Sequence, residues 1–347
     1  MSEDAAPSVR ARLESTEDAL LAPWARRSRD ATRARPEMES PVRTAYQRDR
    51  DRILHSNSFR RLRGKTQVFI APAGDHYTTR LSHVLEVSQV ARVIARALQL
   101  NEDLAESIAL AHDLGHAPFG HAGQEALDHV LEGGYRHDEQ SVRVVELLER
   151  GGQGLNLTRD VVDGIRTHRK PRHDVMGVTA GQPSTLEAAA VKLADAVAYI
   201  NADVDDAVRA GILHDGDLPR RAAARLGRTR SERINTLVCD IVETSAGRPQ
   251  LALSPNVLAA LNELRDYLFR AVYTNAVVKR EADRSRHVVT ELFRYFVAHP
   301  EALPPEFRED PRQEGPERRV ADYIAGMTDQ YAIARFSDLF VPKVWPV

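Results

Sequence analysis

Cysteine is nearly absent: Cys239 stands alone in the chain, which excludes an internal disulfide and any cysteine-based zinc site. A surplus of charge is absent as well. Lys and Arg number 48 against 50 Asp and Glu, a formal net of −2, so no general affinity for nucleic acid or membrane surfaces is expected. Any basic site must be local. No stretch approaches the roughly 18 apolar residues of a membrane span. The start, Met1-Ser2-Glu3-Asp4, is acidic and lacks an apolar segment, so no secretory signal is expected and the location should be cytoplasmic. Neither an internal repeat nor a low-complexity tract occurs.

What remains is an ordinary globular composition, 42% hydrophobic and 28% charged, able to bury a large core in one to three domains. Its densest chemistry lies in Leu110-Ala111-His112-Asp113-Leu114-Gly115-His116-Ala117-Pro118-Phe119-Gly120-His121. Leu104, Ile108 and His112 recur at i, i+4 and i+8, so His112 shares a helix face with apolar residues. Gly115 and Pro118 then stop that helix. Adjacent helical side chains point about 100° apart, so His112 and Asp113 converge only near a helix end, which is where they stand. A single pair of this kind is usually a satisfied core histidine beside a terminal charge. Further histidines at 116, 121 and 137 weigh against that explanation.

Nearly all other patterning is helical. Residues 1–40 lack periodicity and read as an arm, with Leu20, Leu21 and Trp24 able to dock. Thr44 to Arg63 reads as a helix whose arginines interleave with Asp49 and Asp51, a solvated ion-paired face or a phosphate-facing set. Thr66–Ile70 is β-prone, and with a Pro-Gly turn at 72–74 it suggests a small hairpin. Val87, Val90, Ile94 and Leu98 make the stripe of a helix over 80–99, which turns His83 inward. His137 opens another helix, ended by Gly151-Gly152, and a short one follows at 158–168. The polar loop 169–184 is long enough to suggest function. In the helix predicted over 185–210, Asp195, Tyr199 and Asp203 stack at i, i+4 and i+8 with Val191 on the same side. Further helices are expected near 219–226, 231–245, 255–279, 284–298 and 319–335, with 300–318 a surface connection. The fold class is all-α.

An inward carboxylate must be paired, protonated or metal-bound. For Asp195 a salt bridge to Lys192 or a distant arginine is the ordinary explanation. Together, His83, His112, Asp113 and Asp195 offer two imidazoles and two carboxylates from three helices. Such a mixed set suits one divalent ion, Mn²⁺, Mg²⁺, Fe²⁺, Co²⁺ or Ni²⁺, better than a closed structural zinc site.

His83…His112-Asp113…Asp195 resembles the signature of the HD-domain metal phosphohydrolases, an all-α superfamily. Within it, the likeness is to the deoxynucleoside triphosphate triphosphohydrolases, the dGTPase-like proteins. It is carried by Tyr46-Gln47-Arg48-Asp49-Arg50-Asp51-Arg52-Ile53, Phe59-Arg60-Arg61-Leu62, Lys65-Thr66-Gln67-Val68, Thr79-Arg80-Leu81-Ser82-His83, the 112–121 stretch and Asp322-Tyr323-Ile324-Ala325-Gly326-Met327-Thr328-Asp329. It spans roughly residues 40–340. The resemblance implies an HD-domain helical fold with a C-terminal helical extension. Its parts would be an arm (1–40), a metal phosphohydrolase core (41–215) and a C-terminal region (216–347) completing the nucleotide site.

The activity implied is cleavage of a dNTP, dGTP among them, at the α-phosphorus to give the deoxynucleoside and intact inorganic triphosphate. The resemblance puts a divalent metal on His83, His112, Asp113 and Asp195, and Arg80 on the phosphates. It sets His116, His121 and His137 around the α-phosphate, with His121 the first choice for general acid–base work. Tyr199 and Asp203 would hold the sugar 3′-hydroxyl, Tyr273 would wall off the 2′ carbon, and Gln67 would read the base edge. One departure stands out. The family commonly has an acidic residue three positions after the histidine at 121, and here that residue is Gln124, with Glu125 beside it. Either Glu125 takes over the orienting of His121, or hydrolysis is slower than in relatives that keep the acidic residue. A homo-oligomer, with a hexamer the suggested assembly, is also implied; single-stranded nucleic acid is a candidate partner and a membrane is not. The rival readings are another HD-type nucleotide phosphohydrolase or phosphodiesterase, and a non-catalytic nucleic-acid-binding regulator using the arginine-rich 43–65 stretch.

Overall fold

Thr79 starts the helix that carries His83: its hydroxyl accepts from the Ser82 amide, and the Ser82 hydroxyl accepts from the Thr79 amide, a reciprocal cap. Similar local signals place the other helices. The computed structural model describes residues 7–70, 76–171, 174–177, 179, 181–214, 216–309 and 312–343. Its longer helices are α1 (Val9–Leu20), α2 (Ala45–Leu54), α3 (Asn57–Arg61), α4 (Arg80–Ala97), α5 (Glu102–Ala111), α6 (Gly120–Val130), α7 (His137–Arg143) and α8 (Arg159–Thr167). They continue with α9 (Leu186–Arg209), α10 (Arg220–Leu226), α11 (Arg230–Ser245), α12 (Pro255–Leu268), α13 (Ala276–Ala298), α14 (Pro316–Ala325) and α15 (Asp329–Phe340). No strand occurs among the described residues, where the extended pairings are two isolated bridges, Arg33 with Thr158 and Thr66 with Thr79. The fold is all-α. No described helix is long and apolar enough to cross a membrane.

Two apolar clusters meet at the site. In the larger, α4, α5 and α9 pack on one another, with α2, α8 and α11 against them. Val87, Ile94, Leu104, Ile108, Val191 and Val197 are all buried there, each worth about 1.5–3 kcal/mol of burial. In the smaller, α6 packs on α13, and α13 on α14 and α15, joining Leu127, Leu292, Phe296 and Ile324. The stretch 112–119 thus runs from the end of α5, in the larger core, to the start of α6, in the smaller.

Several elements differ from the sequence reading. Residues 1–40 are not an unpatterned arm: α1 lies there, and the segment after it is anchored by polar contacts that leave no apolar periodicity. Arg26 donates to Asp160 at 2.8 and 2.9 Å, and the Arg26 amide to Glu187 at 3.0 Å. The expected hairpin at 66–70 reduces to the bridge between Thr66 and Thr79; the turn at 72–74 lies outside the described residues. The helix expected over 255–279 breaks at Thr274-Asn275, because Asn275 caps α13 by accepting from the Val277 amide. The last helix is two, since Thr328 caps α15. The arginines of α2 and the one just before it are largely committed: Arg43 to Asp51, Arg48 and Arg52 to Glu37, and Arg50 to Asp103 and Glu106. That is the solvated, ion-paired face.

Candidate active site

His83 lies in the first turn of α4, His112 caps the end of α5, Asp113 follows it, and Asp195 sits midway along α9. Their atoms converge. His83 Nε2 is 3.1 Å from Asp195 Oδ1 and 3.9 Å from Asp113 Oδ2; His112 Nε2 is 3.4 Å from Asp113 Oδ1 and 3.9 Å from Asp195 Oδ1. Ligand atoms of His83, His112 and Asp113 all fall within 4.8 Å of one another. His112 Nδ1 lies 2.7 Å from the Ala109 carbonyl and can only donate to it. The neutral ring then presents a lone pair at Nε2, which is buried and has no hydrogen-bond partner. A buried acceptor without a donor is costly in a ligand-free core and natural in a metal site. The residues present therefore fit a divalent cation.

Electrostatics favour ligand-ready protonation states. Burial pushes the His112 imidazole down to about 4, keeping it neutral. Burial pulls both carboxyls up, yet His112, His116 and Arg80 at Asp113, and Lys170 and His83 at Asp195, hold them well below the usual range. Arg80 Nη1 donates to Asp113 Oδ2 at 2.7 Å, and Lys170 Nζ to Asp195 Oδ2. Lys170, from the polar loop after α8, fills the part expected of Lys192, which instead donates to the Gly177 carbonyl at 2.6 Å. Two inward carboxylates are thus each matched by a cation.

A second set of imidazoles lines the adjoining wall. His116 Nε2 is 3.3 Å from Asp113 Oδ1, and its ring stacks on His137 at 4.0 Å between centroids. Gln124 Oε1 accepts from the His137 amide at 3.2 Å and lies 2.7 Å from His137 Nδ1. Two donors on one oxygen fix the amide orientation and the histidine tautomer. His137 Nε2 in turn is 3.1 Å from Nε2 of His168, whose ring also meets His112 edge-on at 4.9 Å. His168, at the end of α8, escaped the sequence reading because nothing near it repeats the His-Asp pattern. His121 lies edge-on to His116 at 5.9 Å with its own ring exposed. Desolvation along the wall of the site and the Arg80 guanidinium lower its pKa.

Glu125 does not take the orienting role at His121. Its carboxylate pairs with Arg286 of α13 at 2.8 Å and is largely exposed, turned away from His121. The reason is helical geometry: consecutive positions on α6 diverge by about 100°, so Gln124 faces the histidines and Glu125 faces α13.

Further along α9, the Tyr273 hydroxyl donates to Asp203 Oδ2, tying the π-helical turn at 269–273 that continues α12 to the same face as Asp195. Burial pushes the Asp203 carboxyl up to about 7, although the Tyr273 bond pulls the other way. Tyr199 stands between Asp195 and Asp203, and burial raises its hydroxyl. Beside it lies Arg265 of α12, which sequence reasoning missed because one arginine in a helix carries no signal of its own. Arg265 is buried, its Nη1 reaches the Pro171 carbonyl at 3.4 Å, and its Nε and Nη2 have no hydrogen-bond partner. Among the described residues no carboxylate pairs with it. Gln67 stands against the start of α6, where a β-carbon on Gly120 would come within 2.5 Å of the Gln67 carbonyl.

Known proteins give the same regions. Residues 80–200 match the HD domain and residues 251–338 the phosphohydrolase-associated domain. A deoxyguanosinetriphosphate triphosphohydrolase-like protein from Caldanaerobacter subterraneus subsp. tengcongensis is 51% identical, covering 97% of this chain and 97% of that one. Proteins of the same description from Clostridium tetani and Desulfatibacillum aliphaticivorans are 41% and 42% identical; each alignment covers at least 96% of either chain.

Proposed function

The chain belongs to the deoxyguanosinetriphosphate triphosphohydrolase-like family of HD-domain proteins, and from that premise we propose that it hydrolyses deoxynucleoside triphosphates to the deoxynucleoside and inorganic triphosphate. The observation that carries the reading is the charge balance of the site. Asp113 and Asp195 are cancelled by Arg80 and Lys170. A divalent ion on His83, His112, Asp113 and Asp195 adds two positive charges, and the unpaired Arg265 a third. That suits a triphosphate, which bears roughly four negative charges at neutral pH given its terminal pKa near 6. When bound, the ion supplies Lewis acidity toward a phosphoryl oxygen and toward water. Mn²⁺, Mg²⁺, Fe²⁺, Co²⁺ and Ni²⁺ all suit the nitrogen–oxygen donor set.

The protein groups do the rest. Arg80 and Arg265 bind the β- and γ-phosphates, while His116 and His137 hold the α-phosphate, oriented by Gln124 and His168. Tyr199 and Asp203 take the 3′-hydroxyl, Tyr273 closes the space at the 2′ carbon, and Gln67 meets the base. Water oxygen bonds to the α-phosphorus as the bond from phosphorus to the 5′-oxygen breaks; His121 gives its proton to that 5′-oxygen, and the proton lost by the water restores the imidazolium. Without substrate, desolvation and the Arg80 guanidinium disfavour the charged imidazole. The anionic substrate corrects it, since nearby negative charge favours the imidazolium.

Metal-loaded protein offered each dNTP and rNTP tests the reading. Deoxynucleoside plus triphosphate is expected; release of pyrophosphate or of monophosphate contradicts it.

A further inference from the structure

The phrase Asp322–Asp329 has no part in the site as described so far, yet one of its side chains reaches the loop that aims His121. Asp329 lies in the first turn of α15 and is 2% exposed. Its Oδ1 accepts from the Phe119 amide at 2.8 Å; its Oδ2 accepts from the Thr66 amide at 3.1 Å and from the Thr66 hydroxyl at 2.5 Å. These bonds hold an unfavourable backbone. Phe119 has φ 62° and ψ 24°, and Gly120 has φ 58°. A bulky residue in the left-handed region is a genuine outlier that persists only when its surroundings fix it.

What the two left-handed residues achieve is the start of α6. His121 is the second residue of that helix and Gln124 follows one turn later, so the turn at 119–120 sets the direction of both. Gly120 also sits too close to the Gln67 carbonyl for any side chain. The clasp extends further. Thr66 bridges to Thr79 at the start of α4, and the buried Lys65 donates to the His116 carbonyl at 2.5 Å and to the Ala325 carbonyl at 2.7 Å. The C-terminal segment therefore grips the catalytic stretch at both ends, at His116 through Lys65 and at Phe119 through Asp329.

We propose that Asp329 is a positioning residue for His121: its carboxylate locks the left-handed turn at Phe119–Gly120, so that α6 begins with the His121 imidazole set against His116. This rests on the reading of His121 as the proton donor in dNTP hydrolysis. Asp329 touches none of the four metal-site residues, so its effect should be separable from metal binding.

The test is D329N. The amide keeps the size but offers a donor to the Phe119 or Thr66 amide, so one bond must fail. Expected are a kcat lowered at least tenfold with KM within threefold, since displacements of about 1 Å cost on the order of 10² in rate. Backbone amide exchange over 116–122 should accelerate at least tenfold while α4, α5 and α9 exchange as before. The affinity for Mn²⁺, followed by its electron paramagnetic resonance, should stay within threefold. T66V, which loses one hydroxyl and keeps its shape, should show the same pattern at smaller amplitude, and it carries the prediction if D329N does not fold. Unchanged exchange over 116–122, or an unchanged kcat, overturns the proposal and leaves the function standing. So does a uniform loss of kcat, KM and metal affinity, which would mark general damage. A wild-type protein that makes no triphosphate overturns both.

Discussion

Gly115→Ala is a one-carbon change with a large expected effect. A β-carbon there would lie 2.2 Å from the Ser141 amide nitrogen, 2.4 Å from the Gln140 carbonyl carbon and 2.7 Å from the His137 carbonyl oxygen. All three are backbone atoms of α7, so no side chain can swing aside. Ordinary contact begins at 3.4 Å, so the loop must retreat by about 3.4 less 2.2, or 1.2 Å. That loop is pinned where it is: the Gly115 amide donates to Ser141 Oγ at 2.9 Å, Ser141 Oγ donates to the His112 carbonyl at 2.7 Å, and the Tyr135 hydroxyl donates to the Gly115 carbonyl at 2.6 Å. Overpacking of this kind costs about 1–3 kcal/mol. With an unfolding entropy of about 2.1 cal/mol/K per residue, a chain of 347 residues loses about 1.4 °C per kcal/mol, so Tm should fall by roughly 1–4 °C. The same displacement moves His112, Asp113 and His116 relative to His137, and misplacement by about 1 Å lowers rates on the order of 10²-fold. Calorimetry of the metal-free protein and steady-state dGTP hydrolysis read the two effects. A variant with wild-type Tm and kcat would show that 112–116 slides freely on α7, and the site geometry argued above would be wrong.

Other outcomes follow from the same contacts. Glu125→Gln should leave kcat within about twofold, because its partner is Arg286 at the surface, whereas Gln124→Ala should lower kcat about 10²-fold or more by freeing the His137 tautomer; steady-state kinetics under saturating dNTP separates them. Asp203 gives a pH signature. Its folded pKa, about 7, exceeds the ordinary carboxyl value of about 3.9, so the native state keeps a proton that the unfolded chain loses, and stability falls as pH rises from about 4 to about 7. Relative to Asp203→Asn the fall should be on the order of 4 kcal/mol, measured by urea unfolding across that range; a constant difference would refute it. Tyr273, held against Asp203, should make dGTP strongly preferred over GTP, and comparable kcat/KM in competition would remove Tyr273 and Asp203 from the sugar site.

The parts of the site legible in the sequence were those with a local signature. His83 and Asp195 show themselves by sharing a helix face with apolar residues, and His112-Asp113 by standing at a helix end beside glycine and proline. The parts that stayed hidden depend on contacts between distant segments. Lys170 and Arg265 each look like an ordinary cation until the fold places one on Asp195 and the other beside Tyr199. Glu125 was misread for a similar reason, since the sequence does not say which neighbour α6 turns toward α7 and which toward α13. The anchoring of residues 22–35 was equally unreadable, because it is made by Arg26, Arg33 and Ser28 rather than by an apolar stripe. Helix boundaries failed where one polar residue decided them, as at Asn275 and Thr328.

The central claim is attack of water on the α-phosphorus at the metal site, and hydrolysis of dGTP in ¹⁸O-labelled water by metal-loaded protein tests it most directly. Mass spectrometry should find one solvent oxygen in the inorganic triphosphate and none in deoxyguanosine. Label in deoxyguanosine, or in a released monophosphate or pyrophosphate, would contradict it.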